Sequence, residues 1–210
     1  ATPSGENEVC PWGEIPTMPG KTWLDCAHAY GKPAEWAMYK DAGIGISGNG
    51  QLTECGTLYL PRIYPRVYQD LVAELGKENV YILSAGWGLV RADAGIPTYN
   101  VTFSTDAPQN AQVTPEARSK YPAMSDVIAG ADEIHLFITP NYFDYWTRSF
   151  MGKDNHRQRY VLHWKDGANN RPDNIQERNI HLHELGKLKT NWQYAAVYQF
   201  IKGIKAIVNT

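Results

Sequence analysis

Residues 61–75 have the sequence PRIYPRVYQDLVAEL, and after Gly76 and three polar residues the chain continues at residues 80–84 with VYILS. An apolar side chain recurs at every fourth position of the first stretch, at Ile63, Val67, Leu71 and Leu75. This spacing predicts a helix with one apolar face, and Gly76 is typical of a helix C-terminus. The second stretch is apolar at nearly every position, which is typical of a strand covered on both faces of a sheet. A helix followed closely by such a strand predicts an α/β fold.

Further apolar runs predict more buried strands on either side of this pair. They lie at residues 21–27, 133–138, 160–164 and 179–185. A helix is predicted at residues 34–40, a helix or turn at residues 141–150, and a last helix at the C-terminus, where Thr190 and Gln193 form a capping box. Helices that alternate with buried strands predict a three-layer α/β/α architecture with a mostly parallel central sheet, in which residues 80–84 are a central strand.

The composition is that of an ordinary globular protein, with 43% hydrophobic and 20% charged residues in a chain of 210. Residues 1–20 hold four of the thirteen prolines and show no apolar period, so we expect an extended N-terminal arm before one α/β domain over residues 21–210. Three cysteines, an odd number, do not make a disulfide framework and suit a reducing compartment. Because no apolar run is long enough for a membrane span and no signal-peptide pattern is present, we expect a cytoplasmic protein without a membrane partner.

The formal net charge of −2 excludes a basic field over the whole domain, the usual feature of proteins that attract nucleic acid at long range. A local basic patch stays open, because Lys187, Lys189, Lys202 and Lys205 cluster near the C-terminus. The Walker loop, GxGxxG, HExxH and GxSxG motifs are absent from the sequence. NTP hydrolysis, dinucleotide redox chemistry and serine hydrolysis by those routes therefore lose support.

The functional site is expected in the loops that follow the predicted strands, because ligands bind beyond the carboxyl ends of parallel strands. These loops are residues 26–32, 84–100, 139–141 and 163–164. The loop at residues 84–100 is the longest and combines small, aromatic, acidic and amide residues, so it is the main candidate.

Two blocks around this loop form a distinctive pattern. Residues 55–75, CGTLYLPRIYPRVYQDLVAEL, are followed by residues 80–100, VYILSAGWGLVRADAGIPTYN. A helix, an ILSA strand, an aromatic-Gly-Leu-Val segment, an acid and a Pro-x-Tyr follow one another, and this pattern resembles the YaaA-like family. Its matching positions are Ser84, Gly88, Asp93, Pro97 and Tyr99. The resemblance implies a fold similar to that of uracil-DNA glycosylases, and a relation to domains of archaeal tRNA-base modifying enzymes.

Asp93 and His28 are the predicted catalytic residues. Asp93 is the only acid of the loop before the Pro-x-Tyr. It either caps the loop in contact with solvent, or it orients a water molecule and stabilises a cationic sugar in a transition state. His28 follows the first predicted strand, and its near-neutral pKa suits a proton donor to a leaving base, although a structural role is the alternative.

Seven further residues are predicted to bind the substrate: Ser84, Trp87, Gly88, Tyr99, Asn100, Asn141 and His163. The small residues from Ser84 onward form either a simple turn or a cradle of backbone N–H groups. Trp87 either fills the core or stacks on a base. Tyr99 and Asn100 either cap a turn or bind the polar edge of a base.

No metal and no cofactor are expected. His181 and His183 alternate on a predicted strand as two metal ligands would, but a third ligand at a set spacing is missing from the sequence. A zinc site from three cysteines and a histidine lacks the paired spacing of such sites. Its members would be Cys10, Cys26, His28 and Cys55.

Three functions remain open from the sequence. The first is an enzyme that cleaves or exchanges an N-glycosidic bond, like a DNA glycosylase, with a nucleic acid or nucleotide as substrate. The second is a non-enzymatic DNA- or RNA-binding protein of stress or defence. The third is an enzyme that modifies nucleotides or phage DNA.

Overall fold

The structure is a computed structural model that describes residues 14–15, 18–22, 25–26, 29, 32–42, 53–59, 64–96, 103, 130–149, 159–167, 180–187 and 191–208. The chain forms two compact units, each built from two chain segments. The first comprises Ala1–Tyr59 and Tyr81–Pro122, and the second comprises Leu60–Val80 and Ala123–Thr210. Because the chain passes between the units three times, neither is a continuous stretch, and the prediction of one domain over residues 21–210 stays a prediction.

Helices and strands are mixed along the chain, as an α/β protein requires. The strands are β1 (Glu14–Ile15), β2 (Met18–Thr22), β3 (Thr53–Glu54), β4 (Tyr81–Ser84), β5 (Gly88–Arg91), β6 (Gly95–Ile96), β7 (Glu133–Leu136), β8 (Arg159–Lys165) and β9 (Ile180–His183). The helices are α1 (Pro33–Asp41), α2 (Cys55–Leu58), α3 (Val67–Leu75), α4 (Pro140–Ser149) and α5 (Trp192–Val208), with a 3₁₀ turn at Lys77–Asn79. The mixed helix and strand content predicted from the sequence is therefore confirmed.

The second unit contains a three-stranded parallel sheet in the order β7–β8–β9. Its strands lie where three of the apolar runs predict them. Leu136 is level with Leu162, and His163 is level with His181. Because side chains alternate between the two faces of a strand, this register places the histidines of all three strands on one face and apolar residues on the other. Leu162 and Trp164 on the apolar face are almost completely buried.

Helices contact this sheet from both sides. On the histidine face, the ring of Phe200 in α5 lies 5.2 Å from the ring of His163. On the apolar face, the ring of Trp146 in α4 lies 6.0 Å from that of Tyr160. Helix α5 also packs against α3, where Val67, Val197 and Ile201 form a buried apolar cluster. The apolar face that the sequence predicts for α3 therefore packs against α5 through Val67.

In the first unit, the described strands form three antiparallel pairs. Strand β1 pairs with β2, β3 with β6, and β4 with β5. The first of these pairs includes part of the predicted N-terminal arm, which is therefore extended but hydrogen-bonded at residues 14–15 and 18–20.

Two strand predictions are wrong. Among the residues that the structure describes, 80–84 are not a central strand of a parallel sheet: β4 pairs antiparallel with β5 in a two-stranded sheet, and Tyr81, Ile82 and Leu83 are only half-buried. An apolar run satisfies a hairpin as well as a covered strand, and the small residues after Ser84 allow the chain to reverse. Residues 21–27 are not a buried strand, because β2 ends at Thr22, while the buried Cys26 is helical.

Gly76 ends helix α3 as the sequence predicts. Its backbone has φ 80° and ψ 146°, a conformation that is nearly restricted to glycine, and its N–H donates to the carbonyl of Val72. We expect Gly76→Ala to lower the free energy of unfolding by about 1–3 kcal/mol. A Cβ there would also press on the flexible carboxylate of Glu78, which can move aside.

The control for this change is Gly203→Ala in helix α5, where an added Cβ meets no atom within 4 Å and the backbone is helical. This variant should gain about 0.5–1 kcal/mol, because glycine is a poor helix former. Urea unfolding of the two variants measures whether the free energy of unfolding falls in the first and rises in the second. A loss at both positions would show that the backbone conformation of Gly76 is not the cause.

Candidate functional site

Ser84 lies at the end of β4, in the hairpin that β4 forms with β5. It is completely buried. Its Oγ accepts a hydrogen bond of 3.2 Å from the Tyr59 hydroxyl and one of 3.1 Å from the Trp87 N–H. These contacts hold the reversal of the chain at Ala85–Gly86–Trp87. Ser84 thus fixes the turn from inside the first unit, and its hydroxyl does not line an open surface.

Trp87 and Gly88 begin the return strand of the same hairpin. Gly88 pairs with Ser84 and has φ 73°, the left-handed conformation that favours glycine at the end of a three-residue hairpin loop. Trp87 is half-buried, so part of its side chain faces solvent. The hairpin thus gives Gly88 a conformational role and leaves Trp87 partly exposed.

Asp93 lies two residues beyond the end of β5. Its carboxylate forms an ion pair with the Nε of Arg91, and only 11% of the side chain is exposed. The Arg91 side chain itself is half-exposed. The guanidinium of Arg91 compensates part of the charge of this carboxylate. Asp93 is therefore a positioned anion with little contact with solvent.

The backbone around Asp93 is fixed by the start of helix α2. The N–H of Cys55 donates to the carbonyl of Ala94 at 2.9 Å, and that of Gly56 donates to the carbonyl of Ala92 at 2.7 Å. Ala92 is completely buried. Hydrogen bonds on both sides of Asp93 therefore limit the movement of its backbone, as a group that must hold a fixed geometry requires.

The remaining predicted residues are distributed over both units. His28, Tyr99 and Asn100 lie outside the described residues. In the second unit, Asn141 is exposed in the first turn of helix α4. The structure therefore brings Ser84, Trp87 and Gly88 together in one turn, with Asp93 beyond the far end of β5.

The structure places His163, predicted to bind the substrate, away from solvent. This residue lies in the middle of β8, 2% exposed, and both of its ring nitrogens are hydrogen-bonded to other histidines. An imidazole has two nitrogens, so none is left for a substrate.

His163 is the centre of a hydrogen-bonded histidine chain, which also contains His135 and His183. His135 Nδ1 lies 2.7 Å from His163 Nε2, and His163 Nδ1 lies 2.7 Å from His183 Nε2. At one end, His135 Nε2 lies 2.7 Å from an oxygen of Glu133. At the other end, His183 Nδ1 lies 2.7 Å from Oε1 of Gln199 in α5. The chain crosses the three strands of the parallel sheet.

Two phenylalanines cover the centre of the histidine chain. The ring of Phe137 stacks on His163 with centroids 4.1 Å apart, and that of Phe200 lies 4.5 Å from His135. Burial lowers the pKa of His163 to about 2, and the neighbouring histidines act in the same direction. Burial also lowers the pKa of His135 and of His183, although hydrogen bonds to Glu133 and Gln199 oppose it. His163 is therefore neutral at physiological pH.

The described residues do not form a metal site. Within them, no three His, Cys, Asp or Glu side chains converge as ligands of one ion. The nitrogens of the histidine chain are 2.7 Å apart, whereas two nitrogens on one tetrahedral zinc ion are roughly 3.3 Å apart. Burial raises the pKa of Cys26 to about 11 and that of Cys55 to about 12, so both are thiols at neutral pH. A thiol is a poor metal ligand.

Comparisons with protein-family models, with curated proteins and with solved structures found no match to this chain. The YaaA-like resemblance therefore rests on the motif residues alone. No helix among the described residues is both long enough and apolar enough to cross a membrane.

The histidine chain was missed by sequence reasoning, although a signal was present. Each of the segments EIHLFI, YVLHW and NIHLHEL has a histidine inside an apolar run. A polar residue on a buried strand needs a hydrogen-bond partner. Histidines on consecutive strands can be that partner for each other.

Proposed function

We propose that the protein is an enzyme that acts on nucleobases and cleaves or exchanges an N-glycosidic bond. The observation that supports this function best is the shielded Asp93 carboxylate, held by Arg91 and by a fixed backbone. Cleavage of an N-glycosidic bond builds positive charge on the sugar, and a nearby carboxylate with little solvent stabilises that charge.

The reaction breaks the bond between the sugar C1′ and the base nitrogen. Its electron pair leaves with the base, and a water molecule, oriented by Asp93, adds its oxygen to C1′. One proton of this water goes to the departing base, directly or through an acid. His28 lies outside the described residues and keeps its predicted role as that acid.

The hairpin favours an oligonucleotide over a single nucleotide as substrate. Trp87 precedes β5 and Asp93 follows it, and β5 alone, from Gly88 to Arg91, is about 10 Å long. Stacked bases are about 3.4 Å apart, so a base on Trp87 is more than one step from the sugar at Asp93. Trp87 would then stack on a neighbouring base of the same strand.

The finer fold belongs to the same proposal. A three-layer α/β/α domain of the uracil-DNA-glycosylase type, in the YaaA-like family, agrees with two observations. These are the parallel sheet β7–β8–β9 and the contacts of α4 and α5 with its opposite faces. The motif residues from Ser84 to Asp93 support the family assignment.

The test is release of free base from labelled substrates, measured by chromatography. Single-stranded DNA, duplex DNA, RNA and mononucleotides with each base are the four substrate classes. We expect release from at least one oligonucleotide class and much less from mononucleotides. If no class releases base, and oligonucleotides bind with a strong dependence on salt, the protein is the non-enzymatic nucleic-acid binder instead.

A further inference from the structure

The histidine chain has an acceptor at each end. At neutral pH the carboxylate of Glu133 only accepts hydrogen bonds. The Arg159 guanidinium lies 3.2 Å from its second oxygen. The first oxygen contacts His135 Nε2. This contact is a hydrogen bond only if a proton lies between the two atoms.

The other end is an amide oxygen. Gln199 Nε2 donates to the backbone carbonyl of Glu184 at 3.2 Å, and this bond turns Oε1 of the amide toward His183. The reverse orientation would place two carbonyl oxygens against each other. The contact of Gln199 with His183 Nδ1 thus also requires a proton on the histidine.

Counting protons gives an imbalance. From Glu133 to Gln199 there are four contacts of 2.7 Å, and each needs one proton to be attractive. Three neutral imidazoles bring only three N–H protons. A chain with three protons leaves two lone pairs facing each other at one contact.

We propose that His135, His163 and His183 form a proton-binding site, which takes up one proton from solvent and shares it along the four hydrogen bonds from Glu133 to Gln199. The site holds four protons on its three rings when loaded, and three when empty. A shift of one proton across a 2.7 Å bond moves the positive charge to the next ring. The site therefore also connects its two ends for proton transfer.

The charged groups around the chain set where the extra proton resides. Glu133 attracts it to His135, whereas Arg159 repels it from that end. His181, whose ring lies 4.6 Å from that of His183, repels it when protonated. Helix α5 contributes the uncharged Gln199 and Phe200. The Glu133 end is thus the preferred position of the charge, and His163 has the least stable cation.

The experiment is NMR of the full chain with 15N-labelled histidine, between pH 7.5 and the lowest pH at which the amide spectrum is that of the folded protein. Nitrogen shifts give the protonation state of each ring nitrogen. We expect the six nitrogens of the chain to carry four protons at the acid end, with the three rings titrating at a common midpoint. A count of three or of six at that pH would overturn the proposal, as would three separate midpoints.

Glu133→Gln tests the proton count directly, and the half-exposed position of Glu133 makes the change mild for the fold. The new amide donates to His135 Nε2, so three neutral rings then satisfy all four contacts. We expect all three rings to carry their proton on Nδ1 at neutral pH, and the common midpoint to fall by at least about one pH unit.

The control is Glu184→Gln, which removes the same charge from an exposed residue beside His183 and leaves the proton count unchanged. It should move the midpoint slightly and leave the tautomers as in the wild type. If both variants give the same small shift and the same tautomers, only electrostatics acts and the shared proton site is refuted. None of these measurements depends on base release, so they stand apart from the test of the enzymatic function.

Discussion

Asp93→Asn is expected to slow base release by about two to four orders of magnitude, the usual effect of losing a group that stabilises charge or moves a proton. The amide has almost the shape of the carboxylate but no charge for a cationic sugar. It also loses the ion pair with the half-exposed Arg91, a contact worth at most about 1 kcal/mol. The protein should therefore stay folded, and single-turnover rates of the two proteins measure the effect.

The matched control is Asp41→Asn in helix α1, an exposed acid of the same unit. Its rate of base release should equal that of the wild type. Oligonucleotide affinity should change little in either variant, because the carboxylate acts mainly in the transition state. Equal rates for the wild type and Asp93→Asn would remove Asp93 from the mechanism, even if base release itself is real.

The sequence predicts well those parts of the fold where the residue pattern is compatible with one local structure. A four-residue apolar period followed by glycine fits only a helix that ends there, and α3 ends at Leu75 before Gly76. The same pattern does not fix the start: residues 61–75 were predicted, whereas the helix begins at Val67 and residues 61–63 lie outside the described part. The prolines at 61 and 65 are compatible with a turn as well as with a first helical turn.

Strand partners are harder to predict than strands. The run VYILS is a strand, as expected, but its neighbour is the GLVR segment that follows three residues later. Two apolar runs separated by Ala-Gly-Trp are a hairpin signal. The assignment of residues 84–100 to one loop overlooks the second of these runs. As a result, the sequence assigns Trp87 and Asp93 to one loop, whereas strand β5 lies between them.

The histidine chain shows a second limit, since its existence depends on register. His135, His163 and His183 are 28 and 20 residues apart, and nothing in those spacings makes them neighbours. Only the parallel order β7–β8–β9, shifted so that His163 is level with His181, brings the three rings into one line. A shift of one residue would turn a histidine to the opposite face.

His163→Leu is expected to lower the free energy of unfolding by about 2–5 kcal/mol at an acid pH at which the histidine chain holds its fourth proton. Leucine fills much of the space and fits the apolar contacts with Phe137 and Phe200. However, it removes the partner of His135 Nδ1 and of His183 Nε2, and each unsatisfied polar atom in a buried place costs about 1–3 kcal/mol. Loss of the central ring also separates His135 from His183 in the histidine chain.

His181→Leu is the matched control, because the same change is made on the neighbouring strand, at the position level with His163. His181 is exposed, so its replacement should change the free energy of unfolding by no more than about 0.5 kcal/mol. Urea unfolding of both variants gives the two free energies of unfolding. The comparison holds if the dependence of the free energy on urea concentration has the same slope in both variants. Equal and small effects would mean that the nitrogens of His135 and His183 find other partners at no cost. Then the 2.7 Å contacts of His163 would not be what holds the three strands in their register.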